Sequence, residues 1–89
     1  MPNTASAKKR LRQNVVRRDR NRAVKTAVRS QMKKVREAVE SGEIEKAEEE
    51  FRLAAKRLDR AGSKKIIDPK ATSRYKSRLQ RLIKKAKQD

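Results

Sequence analysis

The stretch that decides the fold is KKRLRQNVVRRDRNRAVKTAVRSQMKKVR, residues 8–36. It contains thirteen Lys and Arg residues and a single acid, Asp19, and neither Pro nor Gly interrupts it. The sequence therefore favours one continuous helix, because nothing in it breaks a helix. A cationic rod with so few acids needs a polyanion beside it, and nucleic acid is the polyanion most often built at that scale.

Three segments with helical periodicity follow one another. The first runs from about 6 to 41 and ends at Gly42, which accepts the left-handed backbone of a helix end. The second runs from about 43 to 61 and ends at Gly62, and the third runs from about 69 to 87 after the N-cap signal of Asp68 and Pro69. Apolar residues recur at spacings of three and four in each segment. They are Val24, Val28, Met32 or Gln31, Val35 and Val39, then Ile44, Ala47, Phe51, Ala54, Leu58 and Ala61, then Tyr75, Leu79, Leu82, Ile83 and Ala86.

These segments predict an all-α fold, an antiparallel three-helix bundle that forms a single domain over residues 1–89. The first helix would reach roughly 50 Å and the other two roughly 30 Å. The basic N-terminal end of the first helix should therefore project beyond the bundle. Because that end is polar on nearly all sides, we expect it to fray when the protein is alone and to become ordered on its partner.

The composition predicts a thin margin of stability. Apolar residues make up 34% of the chain, charged residues 44% and aromatic residues 2%, and the net charge is +17. Little apolar area is available for burial, and the positive charges repel one another. A partner that binds the folded form would therefore supply much of the apparent stability.

Several classes of function are disfavoured. The chain has no Cys and no His, so it lacks the usual metal ligands and the usual acid–base group at neutral pH. We therefore expect no enzyme, no cofactor, no metal and no small-molecule substrate. No apolar run approaches a membrane span or a signal-peptide core, and a cytoplasmic location is the simplest expectation. The acids gather around the first turn, which should point away from nucleic acid; they are Glu37, Glu40, Glu43, Glu45, Glu48, Glu49 and Glu50.

The basic residues of the first helix form a line beside the apolar one. Arg18, Arg22, Lys25, Arg29 and Arg36 recur at helical spacing, roughly 90° from the apolar stripe at 100° per residue. Before Arg18 the charges surround the helix axis, which suits insertion between nucleic-acid strands; these are Lys8, Lys9, Arg10, Arg12 and Arg17. The third helix carries a second basic face with Arg74, Arg78, Arg81 and Lys85. The C-terminal end of the second segment, which is the negative end of its helix dipole, carries the basic residues Lys56, Arg57 and Arg60.

Recognition should depend on phosphate and shape. Phe51 and Tyr75, the only aromatic residues, are in phase with apolar stripes and are predicted to lie in the core. Two aromatics cannot make the stacking platform of single-strand binders. Candidates for base reading are few, namely Gln13, Asn14 and Asn21. The pattern indicates structured RNA read with little sequence discrimination.

An ordered set of residues resembles the bacterial small-subunit ribosomal protein S20 family. The set comprises Ser6-Ala7-Lys8-Lys9-Arg10, Gln13, Arg18, Asn21, Lys25, Arg29, Lys33-Lys34-Val35, the turn at Gly42, and Arg74-Tyr75-Lys76-Ser77-Arg78-Leu79. The resemblance covers almost the whole chain in one register. The chain departs from the family pattern at Thr72-Ser73, where Ala-Ala is usual, and at Asp68-Pro69, where the opening is usually more basic.

The resemblance implies a monomer within the ribonucleoprotein that binds 16S-type ribosomal RNA (rRNA) directly and early in assembly. The long helix would be wedged among RNA helices of the 5′ domain, at the lower end of the subunit body near the long penultimate stem. Carried over by position, RNA contacts would be made by Lys8, Lys9, Arg10, Arg18, Asn21, Lys25, Arg29, Lys33, Lys34, Arg74, Lys76 and Arg78. Arg12, Arg17 and Arg22, from the charge pattern, complete the predicted RNA-binding set.

Two other readings of the charge remain open. A nucleoid-type DNA-binding protein would be favoured by a dimer interface or by apolar wedges for the minor groove. A basic amphipathic helix that binds a membrane or a partner protein would need large apolar residues opposite the charges. The predicted exposed half of the first helix has only Leu11, Val15 and Val16.

Overall fold

The computed structural model describes residues 4–88, which contain three α-helices and no strand. Helix α1 spans Ala5–Glu40, α2 spans Ile44–Ser63 and α3 spans Pro69–Gln88. Every boundary lies within two residues of its predicted position. The all-α prediction is confirmed. The principal extents of 63 × 22 × 17 Å show an elongated molecule, because α1 is much longer than its two partners.

The ends of α1 follow from local capping. Thr4 is the N-cap, and its hydroxyl accepts a hydrogen bond from the Ala7 N–H at 3.2 Å. At the other end Gly42 has a φ of +76°. The Gly42 N–H donates to the Val39 carbonyl at 3.1 Å, and the next N–H donates to the Ala38 carbonyl at 2.9 Å. This is a Schellman motif, and it turns the chain back along α1 as Gly42 predicts.

The prediction that α2 ends at Gly62 is wrong. The helix continues through Ser63, and Lys65 takes the left-handed conformation with a φ of 58°. The Lys65 N–H donates to the Gly62 carbonyl at 3.1 Å and the Ile66 N–H donates to the Ala61 carbonyl at 2.9 Å, which makes a second Schellman motif.

Gly62 lacks a side chain where α2 and α3 meet, and this allows α3 to pack closely against α2. It is buried, and a Cβ atom built on it would lie 3.0 Å from the Thr72 Oγ1 and 3.3 Å from the Thr72 Cγ2. Thr72 is itself buried, and its hydroxyl donates to the Pro69 carbonyl at 2.8 Å. The departure from Ala at position 72 is therefore a packing feature of the first turn of α3. That turn begins where predicted, since the Asp68 carboxylate accepts from the Lys70 N–H at 3.1 Å.

Cross-helix pairs establish the antiparallel order. Asp59 on α2 accepts from Lys76 at 2.8 Å, whereas Glu48, eleven positions earlier, pairs with Lys87, eleven positions later. Partners on α2 and α3 thus advance in opposite directions. The three-residue turn at 41–43 makes α1 and α2 antiparallel in the same way.

The core is small and lies at the C-terminal half of α1. Its largest fully buried side chains are Leu58, Val28 and Val35. Phe51 and Tyr75 pack against it while partly exposed, in agreement with their predicted core role. The other buried apolar residues are mostly short, so the helix backbones lie close together; they are Met32, Ala38, Ala47, Ala54, Ala61, Ala71, Leu79 and Ile83.

The sequence predicts that either Met32 or Gln31 lies on the buried face of α1, and the structure buries both. Each is buried, Met32 among apolar side chains and Gln31 at the contact with α2. The Gln31 Nε2 donates to the Glu50 carbonyl at 2.9 Å and also to the Glu50 carboxylate. A buried amide without such partners would destabilise the bundle, so this pairing fixes the register of α1 on α2.

Gly62 and Thr72 should be energetically coupled. Gly62→Ala is expected to leave the free energy of unfolding unchanged or to lower it, because the clash with Thr72 offsets a helix-propensity gain of about 1 kcal/mol. In a Thr72→Ala background only the position-72 Cβ, at 3.6 Å, remains near the new methyl group. There the same substitution should raise the free energy of unfolding by about 1 kcal/mol. Urea denaturation of the wild type, the two single variants and the double variant measures these free energies of unfolding. If Gly62→Ala changed the free energy of unfolding equally with and without Thr72→Ala, the two positions would not be coupled.

The pair formed by Glu48 and Lys87 should make stability depend on pH. The hydrogen bond from Lys87, followed by the charges of Lys87 and Arg52, lowers the pKa of Glu48 below its ordinary value of 4.5, against an opposing effect of burial. A lowered pKa in the folded state gives a contribution that is complete above 4.5 and is lost as the pH falls through the folded-state pKa.

We therefore expect Lys87→Gln to lower the melting temperature at about pH 7, and to lower it progressively less as the pH falls through the folded-state pKa of Glu48. Lys85→Gln, which removes an exposed charge two positions away, is the matched control. If Lys87→Gln lowered the melting temperature by the same amount at low pH, the loss would come from packing and not from the ion pair.

Candidate nucleic-acid interface

The arm is the part of α1 that extends beyond the bundle, residues 5–23. The first α1 side chain packed against the core is Val24, and the first that is fully buried is Val28. The arm therefore spans about 28 Å at 1.5 Å per residue, and none of its side chains belongs to the described apolar core. It carries eight Lys and Arg residues and one acid.

The cations of the arm have no acidic partners within the described residues. All the ion pairs within 4.0 Å in residues 4–88 lie outside the arm. Asp19, the only acid of the arm, is exposed and joins no ion pair there. The arm thus presents nearly its whole positive charge to whatever lies beside it.

The first groove is a shallow concavity on the side of the arm that continues the predicted basic line. Its lining residues are Asn14, Arg17, Arg18, Asn21, Arg22 and Lys25. Asn21 is half-buried, while the charged residues around it are exposed. Guanidinium and ammonium groups thus surround two amides, an arrangement suited to a phosphate backbone with limited contact to base edges.

The second groove lies on roughly the opposite side of the arm, at 100° per residue. Its lining residues are Lys9, Arg12, Gln13, Val16, Arg17 and Arg20. The sequence predicts charge around the axis here, and the structure groups that charge into a second groove. Arg20 lines this groove although it is absent from the predicted RNA-binding set.

Lys8 and Arg10 precede or flank the two grooves and are exposed. Arg29 is exposed in the bundle half of α1, in line with the first groove. Lys33 and Lys34 are also exposed, but they lie at the acid-rich end of the molecule. The Lys33 Nζ is 3.9 Å from the Glu37 carboxylate, and Lys34 lines a concavity that contains Glu37, Glu43 and Glu50. The structure therefore does not bring these two lysines together with the arm.

The predicted residues of α3 divide in the same way. Arg74 and Arg78 are exposed, whereas Lys76 is half-buried and bonded to Asp59 at 2.8 Å. Lys76 thus holds α3 to α2, and part of its charge is already compensated. The four cations of the predicted basic face of α3 are all exposed; they are Arg74, Arg78, Arg81 and Lys85.

A third basic site was not predicted. Arg57, Arg60 and Lys64 flank a cavity between α2 and the point where α1 leaves the bundle. The apolar side of this cavity is formed by Val24, Ala27, Val28, Ala61 and Ile66. We call it the junction cavity. The spacing of the three cations, three and then four residues, shows in the sequence that they share a helix face, but their charge is equally explained by the helix dipole.

Other kinds of site have little support. Residues 4–88 contain no group of three or more His, Cys, Asp or Glu side chains placed to hold a metal ion. In the same part of the chain, no helix combines the length and the apolar character needed to cross a membrane. What the described surface offers is positive charge arranged along a rod.

Known proteins resemble this chain over nearly its whole length. A family model described as "Ribosomal protein S20" matches residues 2–84. The small ribosomal subunit protein bS20 of Rhodopirellula baltica is 53% identical over 88 residues, which cover 99% of this chain and 98% of the relative. The protein of the same name from Solidesulfovibrio magneticus is 49% identical and covers 98% of both chains. That of Nitrosomonas eutropha is 43% identical over 94% of this chain and 97% of its own.

Identity at this level over almost the full length, together with the family model, shows that the chain belongs to the ribosomal protein S20 family.

Proposed function

We propose that this protein is a structural constituent of the small ribosomal subunit that binds 16S rRNA directly, by phosphate and shape recognition, and helps the subunit to assemble. The names of its relatives support the ribosomal role, since each is called a small ribosomal subunit protein. The observation that supports direct RNA binding is the arm, a helix about 28 Å long with eight cations, no described ion pair and no side chain in the described apolar core.

The two grooves explain how the arm binds RNA. Because they lie on roughly opposite sides of one helix, phosphates from two RNA segments can be neutralised at the same time. Arg17 lines both grooves, and its neighbours Arg18 and Arg20 each line one. A rod held in this way crosslinks two segments electrostatically, which is how it stabilises the local fold of the RNA during assembly.

Sequence readout has a minor share in this mechanism. Amide side chains occur at three positions along the grooves, Gln13, Asn14 and Asn21, and no aromatic residue lies on the arm. Both aromatics of the chain pack against the core instead. Discrimination among RNAs therefore comes from the spacing of phosphates that match the two grooves.

The membrane-binding alternative has no observation in its favour. Leu11, Val15 and Val16 are 54%, 41% and 54% exposed, but they do not form a continuous apolar face. Val16 lies in the second groove among Lys9, Arg12 and Arg20. An interfacial helix needs a broad apolar face opposite its charges, and the arm is cationic around its circumference.

Binding to a 16S rRNA fragment should be steeply salt-dependent, and a triple variant should reduce that dependence. Arg18→Gln, Lys25→Gln and Arg29→Gln together remove three cations on the side of the first groove. If each contacts a phosphate, the slope of log K against log salt should fall in magnitude by about 2 to 3. Filter binding across a salt series measures the slope. A wild-type affinity that does not change with salt would refute phosphate recognition.

The matched control removes three cations from the outer face of α2, with Lys46→Gln, Arg52→Gln and Lys56→Gln. Both triple variants lose the same charge, so a general electrostatic effect would change both slopes equally. We expect the control to bind with the wild-type slope. Duplex DNA of equal length, tested in parallel, should bind more weakly; equal or tighter binding would favour the nucleoid-type alternative.

The arm should become more helical when RNA binds. Its cations repel one another along one helix, and no packing offsets the repulsion, so the unbound arm is expected to fray from its N-terminal end. Adding the rRNA fragment should increase the far-ultraviolet circular-dichroism signal that reports the helix content of the protein. A variant that lacks residues 1–22 should show no such rise. A full signal before RNA is added would show that the arm is ordered on its own.

A further inference from the structure

The junction cavity lies where the arm meets the bundle and has a volume of about 150 Å³. Val24, Ala27 and Val28 of α1 form one wall, and Ala61 and Ile66 complete its apolar lining. Ile66 is held in place because its N–H donates to the Ala61 carbonyl at 2.9 Å within the turn that Lys65 makes. The cavity is therefore built by fixed backbone on α1 and on the end of α2.

Three cations surround this apolar lining. Arg57, Arg60 and Lys64 are exposed, and the described residues give none of them an ion pair. Asp59, the acid between them in sequence, is bonded to Lys76 on α3. The positive charge at the mouth of the cavity is thus uncompensated by described acids.

The volume and the lining residues of the junction cavity limit the kind of chemical group that it can bind. Pockets for drug-sized ligands measure roughly 300–1,000 Å³, so a cavity of about 150 Å³ accepts only one small group. Apolar walls beside clustered cations suit a group with a flat, weakly polar face that is attached to anions. A nucleobase with its flanking phosphates has this combination.

The second groove leads to the cavity along the same side of α1. Arg20 lines the groove, Val24 and Ala27 line the cavity, and these three residues recur at spacings of four and three, so they share one helix face. From Arg20 to Ala27 the helix rises about 10 Å. An RNA strand that follows the second groove therefore reaches the cavity directly.

We propose that the junction cavity receives one unstacked base of the RNA strand that lies in the second groove, with the flanking phosphates of that base on Arg57, Arg60 and Lys64. This inference rests on the proposed function and adds a defined contact to it. The bundle then does more than carry the arm, because it anchors the strand at a single nucleotide.

Filling the cavity tests the proposal. Ala27 is half-buried, and Ala27→Leu would occupy the cavity while leaving every charge in place. Thr26→Leu, one position away on the exposed side of α1, is the matched control. Chemical probing of base reactivity on the bound 16S rRNA fragment is the readout, and thermal unfolding of both variants verifies that they fold.

We expect Ala27→Leu to restore the reactivity of one nucleotide that the wild-type protein protects, to retain the rest of the footprint, and to weaken binding roughly tenfold. Thr26→Leu should leave both the footprint and the affinity unchanged. Identical footprints for wild type and Ala27→Leu would overturn the proposal. Absence of any footprint with the wild-type protein would overturn the proposed function as well.

A second variant tests the cations independently of the cavity volume. Arg57→Gln combined with Arg60→Gln should lower the magnitude of the salt slope by about 1 to 2 and expose the same nucleotide. If the double variant kept the wild-type slope and footprint while the first-groove triple variant lost affinity, the junction proposal would fail and RNA binding by the arm would stand.

Discussion

The whole molecule depends on where the apolar face of α1 ends. The side chains that face α2 and α3 reach only as far as Val24, yet the helix extends nineteen residues further towards its N-terminus. Beyond that point the same face carries Asn21 and Arg17. No second helix can pack there without burying charge, and burial of unpaired charge is strongly unfavourable. One end of α1 is therefore a bundle helix, and the other end extends beyond the bundle with its charged side chains exposed.

Most of the fold could be predicted from the sequence because the signals for each helix are local and agree with one another. Gly42 marks the end of α1, Asp68 and Pro69 mark the start of α3, and the apolar spacing identifies the buried face of each helix. Gly62 was interpreted wrongly because a glycine that ends a helix and a glycine that lets another helix approach look alike in sequence. The distinction depends on Thr72, which lies ten positions away and contacts Gly62 only in the folded chain.

The candidate interface could be predicted as a kind of surface, but its parts could not be assigned. The family resemblance on the ordered basic residues is confirmed, and the arm lies where the charge pattern indicates. Lys76 remains a predicted RNA contact taken from the family resemblance, and a sequence does not show that it also pairs with Asp59 across the α2–α3 contact. Arg57 and Arg60 were attributed to the helix dipole because the cavity they flank is formed by three separate parts of the chain.

The acid-rich turn and the arm lie at opposite ends of a molecule 63 Å long. This separation gives the protein a lengthwise electric dipole in addition to its net charge. In the field of a large polyanion such a dipole experiences a torque, and the torque aligns the molecule before contact. Under the proposed function, the arm would therefore reach the RNA before the glutamates do, and a larger fraction of diffusional encounters would begin in the binding orientation.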